Sequence, residues 1–477
     1  MDNWVKIPGS ECRSGRARFA MFESNGVVML GIEGPAEVCR GFSGTRGRAG
    51  ELFCPLNHGN AARLRQALPF TAPTPVAGNA VSFGVGDRLG LAGPGQLQAM
   101  RKFDAAPVLA QQSVRELELM RRDYGQVLDA ATWAVFRTGF QRPWGADGDH
   151  LKTEEWVRTA LQAGYTMITA DVSDFIRKQY LEPREGELRQ AYEALEPSYR
   201  RRIEQAYLGR ELVLDTGEKV AFAEGELLRT AVVYGEAIAH ADRLYRAAEE
   251  LKGVGGFDFE LSVDETEIPT TPVAHAFVAL EAKAAGIRLT SLAPRFIGEF
   301  QKGIDYIGDP QAFARSIRTH ASLARELGHR LSIHSGSDKF AVFPAVGHET
   351  QQRFHIKTSG TSWLEAVRVI ALREPDLYRE LHRKALEGFP NAARYYHVTP
   401  DLSRLPDLTS LADADLPDLL EQRDARQLVH ITYGELMRDE AFKERFFGAL
   451  HRNREEYWTD LEGHIGRHLQ ALGVPRI

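Results

Sequence analysis

A regular alternation of short apolar runs with helical patterns constrains the fold more than any other feature of this sequence. From about residue 80, apolar or β-branched runs end in polar clusters, and helical patterns follow several of them. Strands that alternate with helices pair in parallel through right-handed crossovers. Eight such strands favour an α/β fold of the (β/α)8 TIM-barrel type over an open doubly wound sheet. The predicted strands cover residues 80–85, 107–111, 132–137, 165–171, 257–264, 288–293, 330–334 and 353–357.

Glycines close two of the helices predicted between these strands. Residues 272–285 and 312–327 have helical patterns, and Gly286 and Gly328 follow them directly. Glycine is the usual residue where a helix ends in a left-handed conformation. These endings support the strand and helix alternation on which the barrel prediction depends.

Further segments extend the predicted barrel at both ends. Residues 1–75 have frequent glycine and proline and are interpreted as an irregular N-terminal extension or cap. The catalytic barrel domain is predicted over residues 76–477. It includes a helical insertion at about 185–253, interpreted as a cover over the barrel or an oligomer contact, and a mostly helical C-terminal region at about 373–477. Two strand-like runs interrupt that region: residues 395–398 and 428–432.

Composition narrows the classes of partner. The chain of 477 residues has a formal net charge of −6 and no strongly basic half, which argues against nucleic acid because phosphate binding needs clustered lysine and arginine. Three cysteines form no CxxC pair, as is typical of a reducing compartment. The N-terminus lacks an apolar signal region, and no apolar run approaches the ~18 residues of a membrane span. We therefore expect a cytoplasmic protein that binds neither membranes nor nucleic acid, with homo-oligomer formation left open.

Acidic residues gather where predicted strands end. In a TIM barrel the catalytic residues come from the carboxyl ends of the strands and the loops that follow. Asp171 ends the fourth predicted strand, while Asp258, Glu260 and Asp264 alternate with apolar residues along the fifth. Alternate residues share one face of a strand, so these carboxylates should point into the barrel. Such carboxylates need an ion-pair partner, hydrogen bonds or a metal.

Histidines lie at the ends of the last two predicted strands. His334 ends the seventh strand, and His355 and Lys357 share the inward face of the eighth. Two histidines beside an acidic strand would suit a divalent metal with one coordination position left open. The alternative is that both histidines are satisfied core residues, and the sequence leaves these two interpretations open.

Three other motifs have weaker chemical signals. The loop at 357–362 could hold an anion at a helix start, or Ser362 could simply cap that helix. Arg295, just past the sixth strand, is either a carboxylate partner or a surface residue. The glycine-containing run at 83–90 has its third glycine out of register, so it does not predict a dinucleotide site.

Seven short motifs occur in order along the chain: FGVGDR at 83–88, DHLKT at 149–153, TADVSD at 169–174, SVDET at 262–266, SLAPRF at 291–296, HSGSDKF at 334–340 and KTSGTS at 357–362. With QLVHITYG at 427–434, this series resembles the tagaturonate epimerase family, which interconverts D-tagaturonate and D-fructuronate. The resemblance extends from about residue 80 to about residue 440. It implies a metal-dependent isomerase of sugar-acid catabolism.

The resemblance does not by itself fix the ligands, and the strand-end residues supply the candidates for each role. Glu265, His334 and His355 are predicted to bind a divalent ion (Zn, Mn, Ni or Co), with Asp264 as the substitute for Glu265. Glu265 would fall on the apolar face of its strand unless the strand ends or bulges at Asp264. Asp171 is predicted as the acid/base, with Asp264 as a further catalytic carboxylate. The predicted substrate-binding residues are His150, Arg295, Asp338, Lys339 and Lys357.

The chemistry of this interconversion limits the mechanism. The two sugar acids differ at a carbon β to the ketone, and enolisation labilises only the α proton. A retro-aldol cleavage followed by re-addition could invert that carbon, with a metal holding the enediolate and a general acid/base moving the hydroxyl proton. Alternatives are a neutral ketohexose 4-epimerase, a uronate aldolase and a non-catalytic sugar-acid sensor. The expected partner is a small-molecule sugar acid.

Overall fold

Eight parallel strands close into a barrel, and strands that are neighbours in the barrel follow one another along the chain. The computed structural model describes residues 4–47, 50–182 and 186–477. This arrangement confirms the predicted (β/α)8 TIM-type barrel. From first to eighth, the strands are Val81–Gly84, Ala106–Ser113, Gly145–Leu151, Met167–Asp171, Asp258–Ser262, Ser291–Ala293, Arg330–Ile333 and Phe354–Lys357.

Helices follow the strands and cover the outside of the barrel. Gly286 and Gly328 have φ values of +76° and +85°, which confirms the left-handed endings predicted for the fifth and sixth helices in this series. Apolar side chains on the outer faces of the strands pack against these helices and form the main core. The principal helices are Gly93–Met100, Tyr124–Thr138, Glu154–Ala163, Glu224–Lys252, Pro272–Ala284, Pro310–Leu327, Phe343–Glu349 and Thr361–Arg373.

The third predicted strand, residues 132–137, is wrong, because this run lies inside the helix Tyr124–Thr138. Its apolar and β-branched residues are the buried side of that helix, which begins with a capping box at Asp123. The true third strand, Gly145–Leu151, has the polar sequence GADGDHL. Its two aspartates are buried inside the barrel, and this polarity hides the strand from a search for apolar runs.

The insertion predicted at 185–253 supplies part of the outer ring rather than a cover over the barrel. Its long helix, Glu224–Lys252, packs between Glu154–Ala163 and Pro272–Ala284 and is therefore the ring helix that follows the fourth strand. Residue 185 lies outside the described residues. The other elements before the long helix are Glu187–Glu193, Pro197–Tyr207 and the antiparallel strand pair Glu211–Val213 and Lys219–Ala221.

The N-terminal segment forms a sheet where irregular chain was expected. Ala17–Ser24 and Val27–Glu33 are its two long strands, and the other antiparallel strands have only two to four residues, too few to stand out in the sequence. The sheet and the helix His58–Ala67 enclose a small core that includes Trp133 and Phe136 of the barrel helix Tyr124–Thr138. Of residues 1–75, residues 1–3, 48 and 49 lie outside the described part. The strands are Val5–Lys6, Cys12–Ser14, Ala17–Ser24, Val27–Glu33, Thr45–Arg46 and Leu52–Pro55.

The C-terminal region is helical and packs beside the barrel. Neither strand-like run forms a strand: residues 428–431 lie in the helix Arg423–Ile431, and residues 395–398 follow the end of the helix Pro375–Ala392. The last long helix, Arg454–Ala471, packs against Gly93–Met100. None of the described helices combines the length and the hydropathy that a membrane-spanning segment requires. The remaining helices of this region are Tyr433–Leu436 and Glu440–Arg452.

Candidate active site

A cavity of about 990 Å³ opens at the carboxyl ends of the barrel strands. This is the end at which TIM-barrel enzymes bind their substrates. Asp338 and His355 are not among the residues that line it. The other predicted site residues all reach its wall: His150, Asp171, Asp264, Glu265, Arg295, His334, Lys339 and Lys357.

Lys357 lies at the floor of the cavity and holds three carboxylates together. Its Nζ lies 2.9 Å from Asp147 Oδ2, 2.6 Å from Asp149 Oδ1 and 3.0 Å from Glu260 Oε1. It also donates to Thr169 Oγ1 at 2.5 Å. Burial alone would lower the pKa of Lys357, but the three carboxylates raise it well above its ordinary value. The charge of this ammonium group is therefore already balanced, and Lys357 holds the three carboxylates in position.

Three side chains that could hold a metal ion converge above this floor. One donor atom each from His150, Asp264 and His334 lies within 4.8 Å of the others. His150 Nδ1 lies 2.9 Å from Asp149 Oδ1, and His334 Nε2 lies 2.7 Å from Glu260 Oε1. Each histidine thus has one ring nitrogen fixed by a carboxylate and the other left for a ligand. Metal-binding histidines are commonly oriented by such partners.

The charges around His334 favour a cation. Its Nδ1 is buried and lies 3.1 Å from Asp264 Oδ2, without forming a hydrogen bond to any described residue. Burial lowers the pKa of His334, but Asp264 and Glu260 oppose this effect and raise it to about 10. Asp264 is held in place by Ser262 Oγ, which donates to its Oδ1 at 2.5 Å. A divalent cation can replace the proton in such an environment.

Strained backbone conformations occur where the barrel strands end. His150 and Ser335 have φ values of +56° and +51°, in the left-handed region that non-glycine residues rarely adopt. Asp338, in the loop after the seventh strand, has a φ of +59°. Such conformations persist only where the surrounding contacts fix them, and they are common at functional sites.

The other two predicted ligands are not in the converging group. His355 is fully buried deeper in the barrel, where its Nδ1 lies 2.9 Å from Ser82 Oγ, and burial lowers its pKa to about 3. Glu265 is exposed at the rim of the cavity. Because the fifth strand ends at Ser262, the carboxylate that reaches His334 is Asp264, the predicted substitute.

Asp171, which is predicted to act as the acid/base, lies in the wall of the cavity. It is buried at the end of the fourth strand and lines the cavity. Its Oδ1 accepts a hydrogen bond from the backbone N–H of Ser173 at 2.9 Å. Its Oδ2 lies 3.6 Å from Lys152 Nζ, which is bonded more closely to Asp174. Among the described residues, the Oδ2 atom therefore has only this distant cation near it, and it is available to a substrate.

Two predicted substrate contacts have structural partners instead. Lys339 is buried, and its Nζ donates to the carbonyl oxygens of Gln301, Ile304 and Ser337. Burial lowers the pKa of Lys339 to about 7. Its amine therefore fixes backbone and has little capacity left for a ligand.

Asp338 points away from the cavity toward the C-terminal helices. Its carboxylate accepts hydrogen bonds from Arg426 at 2.8 Å and from His464 at 2.7 Å. Its backbone N–H donates to His468 Nε2 at 2.9 Å. Asp338, His464 and His468 form a second group of possible metal donors, but these hydrogen bonds already account for its geometry. Arg295 does line the cavity, and its side chain has no hydrogen-bond partner among the described residues.

Sequence reasoning missed Asp147, Asp149 and Lys302. The two aspartates were not recognised because the third strand was predicted in the wrong place. Their spacing of two along GADGDHL puts them on one inward face of the true strand. Lys302 lies in a long loop after the sixth strand, and no periodic pattern singles it out.

A sequence model of a family described as tagaturonate epimerase matches residues 32–472 of the chain. The chain belongs to the tagaturonate epimerase family. It is therefore an isomerase, as the resemblance implied. The match reaches well beyond residues 80–440 and includes part of the N-terminal sheet.

Characterised members of the tagaturonate epimerase family agree with this assignment. A tagaturonate/fructuronate epimerase of Thermotoga maritima is 44% identical over 422 residues, which cover 88% of this chain and 86% of that protein. The native crystal structure of a fructuronate-tagaturonate epimerase from Cohnella laeviribosi superposes with a TM-score of 0.96 at 43% identity, covering 99% of this chain and 97% of that one. A glycerol complex of the same protein gives a TM-score of 0.95 at the same identity and coverage.

Proposed function

We propose that this chain interconverts D-tagaturonate and D-fructuronate, and that it needs a divalent metal to do so. The observation that carries the proposal is the convergence of His150, Asp264 and His334 at the cavity, with both histidines oriented by carboxylates. The named relatives act on these two sugar acids by name, which supports the choice of substrate.

The donor set fits a divalent ion. Two imidazoles and one carboxylate suit Zn, Mn, Ni or Co and leave positions for substrate oxygens. The same region holds carboxylates in excess when the imidazoles are neutral, since Asp147, Asp149 and Glu260 surround the ammonium group of Lys357 and Asp264 lies beside His334. A divalent cation would balance that excess. When bound, it would supply Lewis-acid polarisation of the ketone.

The residues around the donors suit a retro-aldol route. The carbon that changes configuration carries a hydroxyl group and lies β to the ketone. Asp171 would take the proton from that hydroxyl as the bond between the α and β carbons breaks, with the bonding electrons moving toward the ketone. The β carbon becomes an aldehyde, turns its other face to the α carbon and is attacked again, and Asp171 returns the proton. The enclosed cavity would hold both fragments during the rotation.

An isotope experiment tests both parts of this proposal. Metal-loaded protein is incubated with D-tagaturonate in D₂O, and NMR follows fructuronate formation and deuterium at each carbon, with a chelated sample alongside. We expect fructuronate only in the metal-loaded sample and no deuterium at the inverted carbon. Deuterium at that carbon would overturn the retro-aldol route and leave the epimerase standing. Absence of turnover with all four metals would overturn the proposed function.

A further inference from the structure

The tip of the loop after the sixth strand is held rigid by buried side chains. The carbonyl oxygens of residues 301–304 all accept hydrogen bonds from elsewhere in the chain. Lys339 Nζ donates to the first at 3.0 Å and to the last at 2.5 Å, Gln427 Nε2 to the second at 3.2 Å and Arg426 Nε to the third at 2.8 Å. Because all three donors are buried, their bonds are shielded from water. The backbone at this tip is therefore fixed relative to the barrel.

Lys302, within that tip, presents an uncompensated charge to the cavity. Its side chain is half-buried in the cavity wall, and its Nζ makes no hydrogen bond or ion pair with any described residue. Two other cations of the wall are paired: Arg88 with Glu116 at 2.7 Å and Lys152 with Asp174 at 2.8 Å. A half-buried ammonium group without a partner is unfavourable until an anion arrives. Lys302 therefore has the character of an anion receptor.

Arg115 and Arg295 also line this wall without an ion pair to a described residue, but Arg115 donates to the carbonyl oxygen of Tyr395 at 3.1 Å, and Arg295 differs from Lys302 in the charges near it. Burial lowers the pKa of Lys302 and Arg88 lowers it further, while Glu116 and, to a smaller extent, Asp149, the partner of His150, raise it. The charge of Arg295 acts instead on the pKa values of Glu299 and Tyr306, in the outer part of the same loop. Lys302 is thus close enough to Glu116 and Asp149 to interact with both, and Asp149 is the carboxylate that fixes His150.

We propose that Lys302 receives the carboxylate of the sugar acid while the ketone end of the substrate lies at His150, Asp264 and His334. This inference rests on the proposed function and names the residue that makes the site selective for acids over neutral sugars. The two ends of the substrate are then fixed at separate points, which positions the reacting carbon between them. Lys339, Gln427 and Arg426 act as positioning residues, because they hold the backbone that presents Lys302.

Steady-state kinetics of Lys302→Met test the proposal. We expect KM for D-tagaturonate to rise roughly tenfold to a hundredfold, as loss of one charge-assisted hydrogen bond predicts. Lys302→Arg, which retains the charge, should recover much of this loss. Inhibition by D-tagatose, the neutral sugar with a hydroxymethyl group in place of the carboxylate, should be the same for wild type and Lys302→Met. Lys283→Met, which removes an exposed lysine on an outer helix, is the matched control and should behave as wild type.

The outcomes separate this inference from the proposed function. If wild type turns over D-tagaturonate and Lys302→Met keeps the wild-type KM, the inference is overturned and the epimerase stands. A large rise in KM with Arg295→Met alone would also overturn it, in favour of the outer cation. Equal loss of D-tagaturonate and D-tagatose binding in Lys302→Met would show damage to the cavity rather than loss of a carboxylate receptor. Inactive wild type would overturn the proposed function instead.

Discussion

Glu260 fixes His334 from inside the barrel, with Oε1 of the carboxylate 2.7 Å from Nε2 of the imidazole. Replacing Glu260 by Gln keeps the size of the side chain but removes the charge that orients the ring and supports its basicity. We expect metal affinity to fall roughly tenfold to a hundredfold, as is usual when such a partner is lost. Competition with a fluorescent chelator measures the change. Unaltered affinity would mean that the carboxylate serves only the stability of the barrel.

His150 and His355 form a pair of variants that distinguishes the converging donors from the ligands first predicted. His150→Ala removes a donor beside Asp264 and His334, so the purified protein should lose bound metal and activity. His355→Gln alters a histidine that is hydrogen-bonded to Ser82 deeper in the barrel, so its metal content should stay at the wild-type level. Elemental analysis after gel filtration measures both. The reverse pattern would restore His355 to the ligand set.

Lys357→Met should be among the most destabilising single changes in the barrel. The variant leaves Asp147, Asp149 and Glu260 buried without their shared cation. Removing one partner from a buried ion pair typically costs about 3–5 kcal/mol of the free energy of unfolding. Urea denaturation monitored by circular dichroism measures the loss, with Lys283→Met as the exposed control. A loss below about 1 kcal/mol, as for an exposed ion pair, would contradict the central role assigned to this ammonium group.

Three buried histidines away from the cavity should make the fold sensitive to acid. His275 Nδ1 lies 2.8 Å from His320 Nδ1, and His275 Nε2 lies 2.9 Å from His329 Nε2. Burial lowers the pKa values of His320 and His329 to about 4, and that of His275 well below its ordinary value. The unfolded chain therefore binds more protons than the folded chain between pH 6.5 and 4, and stability falls as pH falls through that window.

The size of this effect can be checked directly. At pH 5, His320 and His329 should each lower the free energy of unfolding by roughly 2 kcal/mol relative to pH 7. Urea denaturation at the two pH values measures the difference, and His329→Gln should flatten the dependence. A variant that retains the full wild-type slope would show that other groups cause the acid sensitivity.

The barrel was predictable because most of its strands and helices follow strong local rules. Gly328 closes its helix in the left-handed conformation that its position in the sequence predicts. The third strand escaped because its inward residues are aspartates whose stability depends on Lys357, more than 200 residues away in the sequence. Strand prediction from local patterns uses only residues that are neighbours along the chain. A polar strand that is stabilised by a distant cation therefore has the sequence pattern of a loop.

The candidate site was predictable as a region, and its individual contacts were not. The alternation of inward and outward residues along a strand predicts that His334 and Asp264 face the mouth of the barrel, and both line the cavity there. The same alternation predicts that His355 faces inward, but it does not predict how deep in the barrel the residue lies, because depth depends on the register between strands. The role of Lys302 could not be predicted for a different reason, since its position depends on the distant side chains that hold its loop.

The loop that carries Lys302 also has a consequence for the order in which the protein acquires activity. The converging donors are complete by residue 334, whereas Arg426 and Gln427, which fix the loop, come almost a hundred residues later. A chain that emerges from the ribosome in order therefore contains all eight barrel strands, the last of which ends at Lys357, before it contains the residues that fix this loop.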